Sequence, residues 1–320
     1  MRALICGISG QDGAYLAKLL LSKGYEVVGT SRDAGMSRLD NLERLGIRDK
    51  VRVVSLAHGD FRSVLQVLTD VAPDELYNLA GQSSVSLSFE QPAETLESIA
   101  IGTLNLLEAI RFVKRSIRFW NAASGECFGG STKEQPANET TPFRPRSPYG
   151  TAKAASFWQV ANYREVYGLF ACSGLMFNHE SGLRPSRFVT RKVVQTACWI
   201  AAGGKDRLRI GQTDVIRDWG YAPEYVEAAW LMLQQAAAAD FVVASGHSCS
   251  LADFVRATFE ELGLDWREHT DIDSTLFRPG EIATSYADPS LAREKLGWSA
   301  VTWGDQLAAR LVSEEMGRNG

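Results

Sequence analysis

Near the N-terminus, the stretch GISGQDG joins an apolar run, RALICGI, to a helix-period run, AYLAKLLLSKG. Its glycines Gly7, Gly10 and Gly13 stand three apart. Bare backbone at a strand-to-helix turn lets a diphosphate approach, and the helix N-terminus favours its charge. The turn residues Gly7, Gly10, Gln11, Asp12 and Gly13 are therefore candidates for holding a dinucleotide. A purely structural glycine turn is the alternative. The context decides between them, because the turn opens a series in which β-type runs (YEVVGTS, VRVVSLA, DELYNLA, SIRFWNAAS) alternate with helical ones. That alternation predicts an α/β chain with a doubly wound parallel sheet of the Rossmann type.

The series continues through a helix from about Tyr149 to Tyr167 and a strand in LFACSGLMF. After Asn178 the texture changes. NHESGLRPSRFVTRK reads as polar and loop-rich, and RLRIGQ as an isolated strand. The division expected is a nucleotide-binding domain of residues 1–178 plus about 215–245. A smaller, interleaved C-terminal substrate domain takes about 179–214 plus 246–320. With 320 residues, either one large or two modest domains can bury a core. A net charge of -4 gives no basic footprint for nucleic acid. No apolar run approaches a membrane span. The five scattered cysteines fit reduced, mainly buried thiols, and MRALICGISG begins as a strand rather than a signal peptide. Both point to the cytoplasm. Four histidines without paired spacing offer no zinc site.

The end of the second strand, VVGTSRD, bears on cofactor choice. Ser31 stands where an acid would hold ribose hydroxyls, and Arg32 follows. An arginine there suits a 2′-phosphate and predicts NADP. Asp33, one residue on, is the competing ribose ligand, and Arg38 a second phosphate contact. Asp60 and Phe61 follow the third strand, where adenine would lie. Asp60 is either an acceptor for the adenine amino group or a helix cap.

Ser147 and Pro148 read as a helix cap and first-turn proline, so Tyr149 opens a helix with Lys153 one turn on. A nearby ammonium favours phenolate, which would lower the Tyr149 pKa and make it a general base for a hydroxyl proton. Ser124, at the end of the fifth strand, would hydrogen-bond the same oxygen. An alcohol–ketone hydride transfer needs no more, yet Glu126 follows two residues later.

This constellation resembles the extended short-chain dehydrogenases/reductases that act on nucleotide sugars, and within them the GDP-mannose 4,6-dehydratases. The similarity runs nearly the whole chain, through ELYNLAGQSSVSLSFEQP, TPFRPRSPYGTAK, FNHESGLR, FVTRK, RDWGYAPEYVEAAWLMLQQ, FRPGE and EKLGW. It implies a cofactor used catalytically, with Tyr149 removing the O4 proton and Glu126 the C5 proton before water leaves C6. It implies Lys192, Arg217 and Arg278 as phosphate contacts, Glu281 as the nucleotide ribose ligand, and Asn178, Ser84 and Val189 as further substrate contacts. The partner implied is GDP-mannose or a closely related nucleotide sugar. The assembly implied is a homodimer through the segments 94–112 and 149–167, with a homotetramer as the alternative. Two departures stand out: the family's usual threonine is Ser124, and the serine or aspartate before the glutamate is Gly125. An NADPH-dependent 4-ketoreductase or 4-epimerase, or a non-enzymatic NADP-binding sensor, are the rival readings.

Overall fold

The computed structural model describes residues 1–319. Twelve strands are described. They are β1 (Arg2–Cys6), β2 (Glu26–Ser31), β3 (Arg52–Ser55), β4 (Glu75–Asn78), β5 (Arg118–Ser124), β6 (Ala171–Met176), β7 (Asn178–Glu180), β8 (Leu208–Ile210), β9 (Ile216–Tyr221), β10 (Phe241–Val243), β11 (Ser248–Ser250) and β12 (Thr270–Ile272). Seven make one parallel sheet in the order β10-β6-β5-β4-β1-β2-β3. Helices cover both faces, so β4 and β6 are buried at every position and carry unbroken rather than alternating patterns. The doubly wound prediction holds.

The strand order reverses between β1 and β4. Such a reversal leaves a crevice at the carboxyl ends of the strands, where ligands bind. The glycine turn leaves β1 at that edge, and Ser124 ends β5 there.

Two smaller sheets lie outside the main one: β11-β9-β7, and β12-β8. The RLRIGQ strand is therefore not isolated. β8 pairs in parallel with β12, and a local pattern carries no record of a partner so far along the chain. The segment read as loop-rich also holds β7 and the start of the helix Val189–Ala201, whose buried face includes Thr190, Val193, Val194 and Ala197. Within 215–245, β9 joins the small sheet while β10 joins the large one. The segment 94–112 lies in one continuous helical run, Pro92–Leu96, Glu97–Ile101 and Gly102–Val113, with a wider, π-type turn at Glu97–Ile101.

The helix Pro148–Tyr167 starts as its sequence predicts. Ser147 Oγ accepts from Gly150 N at 3.0 Å, and Gly168 ends the helix at φ +66°. Its first turn is thereby fixed against the end of β5.

Candidate active site

A cleft of about 520 Å³ opens at the carboxyl edge of the main sheet. Ser124, Glu126, Tyr149 and Lys153 line it together. So do Ser84, Asn178, Val189, Lys192, Arg217, Arg278 and Glu281. The tertiary structure thus gathers all four candidate catalytic groups and all seven candidate substrate contacts into one space, from segments far apart in the chain.

Ser124 Oγ accepts from Glu126 N at 3.2 Å, so the turn that follows β5 presents the carboxylate beside the serine. Burial pushes the Glu126 carboxyl up. Arg217 and Arg278 pull it down and Glu281 pushes it up again, leaving a net rise. A raised carboxyl suits a group that must both take and give a proton near neutrality. Gly125 lies under the Phe177 ring, and a Cβ there would meet three ring carbons at 3.1, 3.1 and 3.2 Å. That close approach is the physical reason a glycine is accommodated at this position.

Lys153 reaches back to β5, its Nζ donating to Ala122 O at 2.5 Å, and lies 5.8 Å from the centre of the Tyr149 ring. Burial lowers the Lys153 ammonium to about 8, with Cys127 and Asp12 opposing. The expected depression of Tyr149 is not found. Burial pushes the phenol well up, the facing Ser124 hydroxyl works the other way, and Glu126 and Cys127 add to the rise. The ammonium is spent on a carbonyl, and desolvation of the phenolate outweighs it.

Arg217 Nη2 pairs with Glu281 Oε1 at 2.6 Å, and Arg278 Nε lies 3.9 Å from Glu281 Oε2. The three candidate nucleotide contacts form one ion-pair chain. Lys192 Nζ donates to Arg209 O at 2.6 Å, and Ser84 caps the helix Val85–Glu90.

The glycine turn meets the requirements of a diphosphate cradle. Gly7 holds φ +87°, and a Cβ on Gly13 would sit 2.3 Å from Gly7 O. Neither position tolerates a side chain, so the helix Gln11–Ser22 begins with its backbone bare. Gln11 is tied to β7 by its Nε2 donating to His179 O at 3.1 Å, and Asp12 reaches the cleft. Arg32 is exposed, with no partner among the described residues. Asp33 instead folds back, its Oδ1 accepting from Gly35 N at 3.0 Å and Met36 N at 3.1 Å. Asp60 caps the helix Phe61–Val71, accepting from Arg62 N and Ser63 N, and Phe61 is 37% exposed. Arg38 lines a separate cleft with Ser9, Asn41 and Arg184.

The cleft residues that sequence reasoning did not single out include His179, Glu180 and Arg184. Arg184 pairs with Glu180 at 3.2 Å, and Thr190 donates to the same carboxylate at 2.6 Å. All lie in or beside FNHESGLR, but their pairing leaves no periodic signal.

A family model described as GDP-mannose 4,6 dehydratase matches residues 4–311. The chain belongs to the GDP-mannose 4,6-dehydratase family. It is 42% identical to GDP-mannose 4,6 dehydratase 1 of Arabidopsis thaliana, over 98% of this chain and 89% of that protein. It is 40% identical to the GDP-mannose 4,6-dehydratase of Vibrio cholerae, over 98% and 94%. Among solved structures, it is similar to the UDP-glucose 4-epimerase of Thermus thermophilus in complex with NAD. That likeness has a TM-score of 0.87 and 25% identity, covering 99% of both chains. Family membership accords with the cleft: the carboxylate that a simple reductase has no use for stands beside the serine, tyrosine and lysine. Among the described residues, no helix is long and apolar enough to cross a membrane.

Proposed function

We propose that the chain converts GDP-D-mannose to GDP-4-keto-6-deoxy-D-mannose and water, using NADP catalytically. The observation that carries this reading is Glu126, a carboxylate raised by burial in the same cleft as Ser124, Tyr149 and Lys153. A bound nicotinamide would take hydride from C4 and return it to C6. Tyr149 removes the O4 proton, with Ser124 hydrogen-bonded to that oxygen and Lys153 beside the phenol. The 4-ketone acidifies C5, and Glu126 takes that proton. The C6 hydroxyl leaves as water after gaining a proton, for which Glu126 is the acid at hand given Gly125. C5 is then reprotonated, and the redox balance is zero.

Arg217, Arg278 and Lys192 would receive the substrate diphosphate, arginine giving a planar fork of donors. Glu281 would turn to the nucleotide ribose, with Asn178, Ser84 and Val189 along the sugar side. The backbone of the turn Gly7, Gly10, Gln11, Asp12 and Gly13 would hold the cofactor diphosphate, and Phe61 the adenine end. NADP over NAD is favoured by the free Arg32 and by Asp33, whose carboxylate caps its own turn. The exposed side chains of Leu96, Ile101, Phe112 and Trp158, on the segments 92–113 and 148–167, favour a homodimer through those helices. The segment SRDAGMSRLDNLERLG lies where tetramers of the resembled family meet across the cofactor site, and its departure from their arginine-serine run argues against a tetramer.

The test is incubation of the purified protein with GDP-mannose and no added reductant, reading the product by mass and NMR. A new 4-keto-6-deoxy sugar with unchanged NADPH is expected. Consumption of NADPH without loss of water would instead establish a reductase.

A further inference from the structure

The mechanism leaves a charged pair unused at the start of the cofactor helix. Asp12 sits in the first turn of Gln11–Ser22, and His179 lies on β7, 167 positions away. His179 Nε2 lies 2.9 Å from Asp12 Oδ2, and its Nδ1 lies 2.7 Å from Phe177 O. A carbonyl only accepts, so Nδ1 carries a hydrogen. Asp12 Oδ1 accepts from Gln11 Nε2 at 2.9 Å. The carboxylate is ionised: burial opposes this, but His179, Gln11 and Arg184 hold Asp12 down at about 2. Nε2 therefore also carries a hydrogen, and the ring is an imidazolium. Burial and Arg184 oppose that charge, Asp12 and Phe177 O support it, and the Tyr225 ring stacks on it at 4.9 Å.

The position gives this pair a purpose. An uncompensated carboxylate in that first turn would repel a diphosphate arriving at the same helix end. We propose that His179 is a positioning residue for the cofactor: its imidazolium cancels the Asp12 charge beside the diphosphate turn and pins β7 to that turn. Gln11 completes the strut, donating to His179 O and accepting from Ser181 Oγ at 2.8 Å. Because β7 begins at Asn178, the strut also sets the substrate strand against the cofactor turn. The inference rests on the dinucleotide reading of the turn, and on no step of the dehydration.

NADPH affinity, read by fluorescence titration without nucleotide sugar, tests it. His179→Gln leaves Asp12 charged and without the imidazolium, and is expected to weaken binding about tenfold, the effect of roughly 1.4 kcal/mol. Adding Asp12→Asn to that variant removes the repulsion and is expected to recover at least about threefold. A double variant that binds no better than His179→Gln overturns the compensation. Nitrogen-15 correlation spectra of the wild type, with His179 assigned, are expected to show both ring nitrogens protonated at about pH 7. A neutral ring there overturns the proposal even if the variants fail to fold. A wild-type protein that binds no NADPH would overturn the cofactor reading itself.

Discussion

Arg217 on β9 and Glu281 meet at 2.6 Å in the wall of the cleft, within electrostatic reach of Glu126. Arg217 pulls the Glu126 carboxyl down while Glu281 pushes it up, so under the proposed function nucleotide recognition and acid–base chemistry would share one charge balance. A substrate diphosphate bound at Arg217, as proposed, would compete with Glu281 for the guanidinium and reset that balance.

Arg217→Ala is expected to raise KM for GDP-mannose at least about tenfold, since truncating one partner of a desolvated charge pair costs about 2–5 kcal/mol. It also removes the largest downward pull on Glu126. The base then ionises only at higher pH, so the acidic limb of the kcat profile moves upward. A raised KM with an unmoved acidic limb would disprove the coupling.

Glu126→Gln separates the two halves of the reaction. Tyr149, Lys153 and Ser124 remain, so reduced nicotinamide is expected to form in a single turnover with GDP-mannose. Elimination is expected to slow by about 10²–10⁴. Stopped-flow absorbance of the reduced cofactor, with mass analysis of the sugar, reads both. Normal water loss in this variant would remove Glu126 from the mechanism.

Lys153 is buried at a cost in stability that its proposed catalytic role would explain. Burial brings its ammonium from 10.5 to about 8. Between those values the unfolded chain binds a proton that the folded chain does not, so stability rises with pH across that window and the full penalty applies below it. The shift corresponds to about 3 kcal/mol, offset by about 1 kcal/mol for the hydrogen bond to Ala122. Lys153→Met is expected to abolish C4 oxidation yet stabilise the protein by about 2 kcal/mol near neutral pH. The gain should shrink as pH rises above about 8, as followed by denaturant unfolding at several pH values.

Arg32→Ala is expected to weaken NADP binding about tenfold, the loss of one charge-assisted contact, and to leave NAD binding nearly unchanged. Parallel titrations with the two cofactors check this. An equal loss for both would shift the 2′-phosphate contact elsewhere.

Gly125→Ser is expected to cost about 1–3 kcal/mol, because its Cβ meets the Phe177 ring at 3.1 Å and the core there must give. Pairing it with Phe177→Leu should cost less than the sum of the two single changes. Thermal unfolding of the three variants measures this.

Local pattern alone determined the parallel sheet, the glycine turn after β1, the capped start of Pro148–Tyr167 and the Ser124–Glu126 spacing. Each rests on residues within one or two turns of the chain, where periodicity and cap chemistry act. The residues now lining the cleft beyond β6 were legible only through resemblance, since no local rule brings Arg217 to Glu281. Tertiary structure decided what distance in sequence conceals: β8 against β12, Asp12 against His179, and the rise rather than fall of the Tyr149 phenol. Those outcomes depend on desolvation and on charges supplied by remote segments, and both exist only once the chain has closed around the cleft.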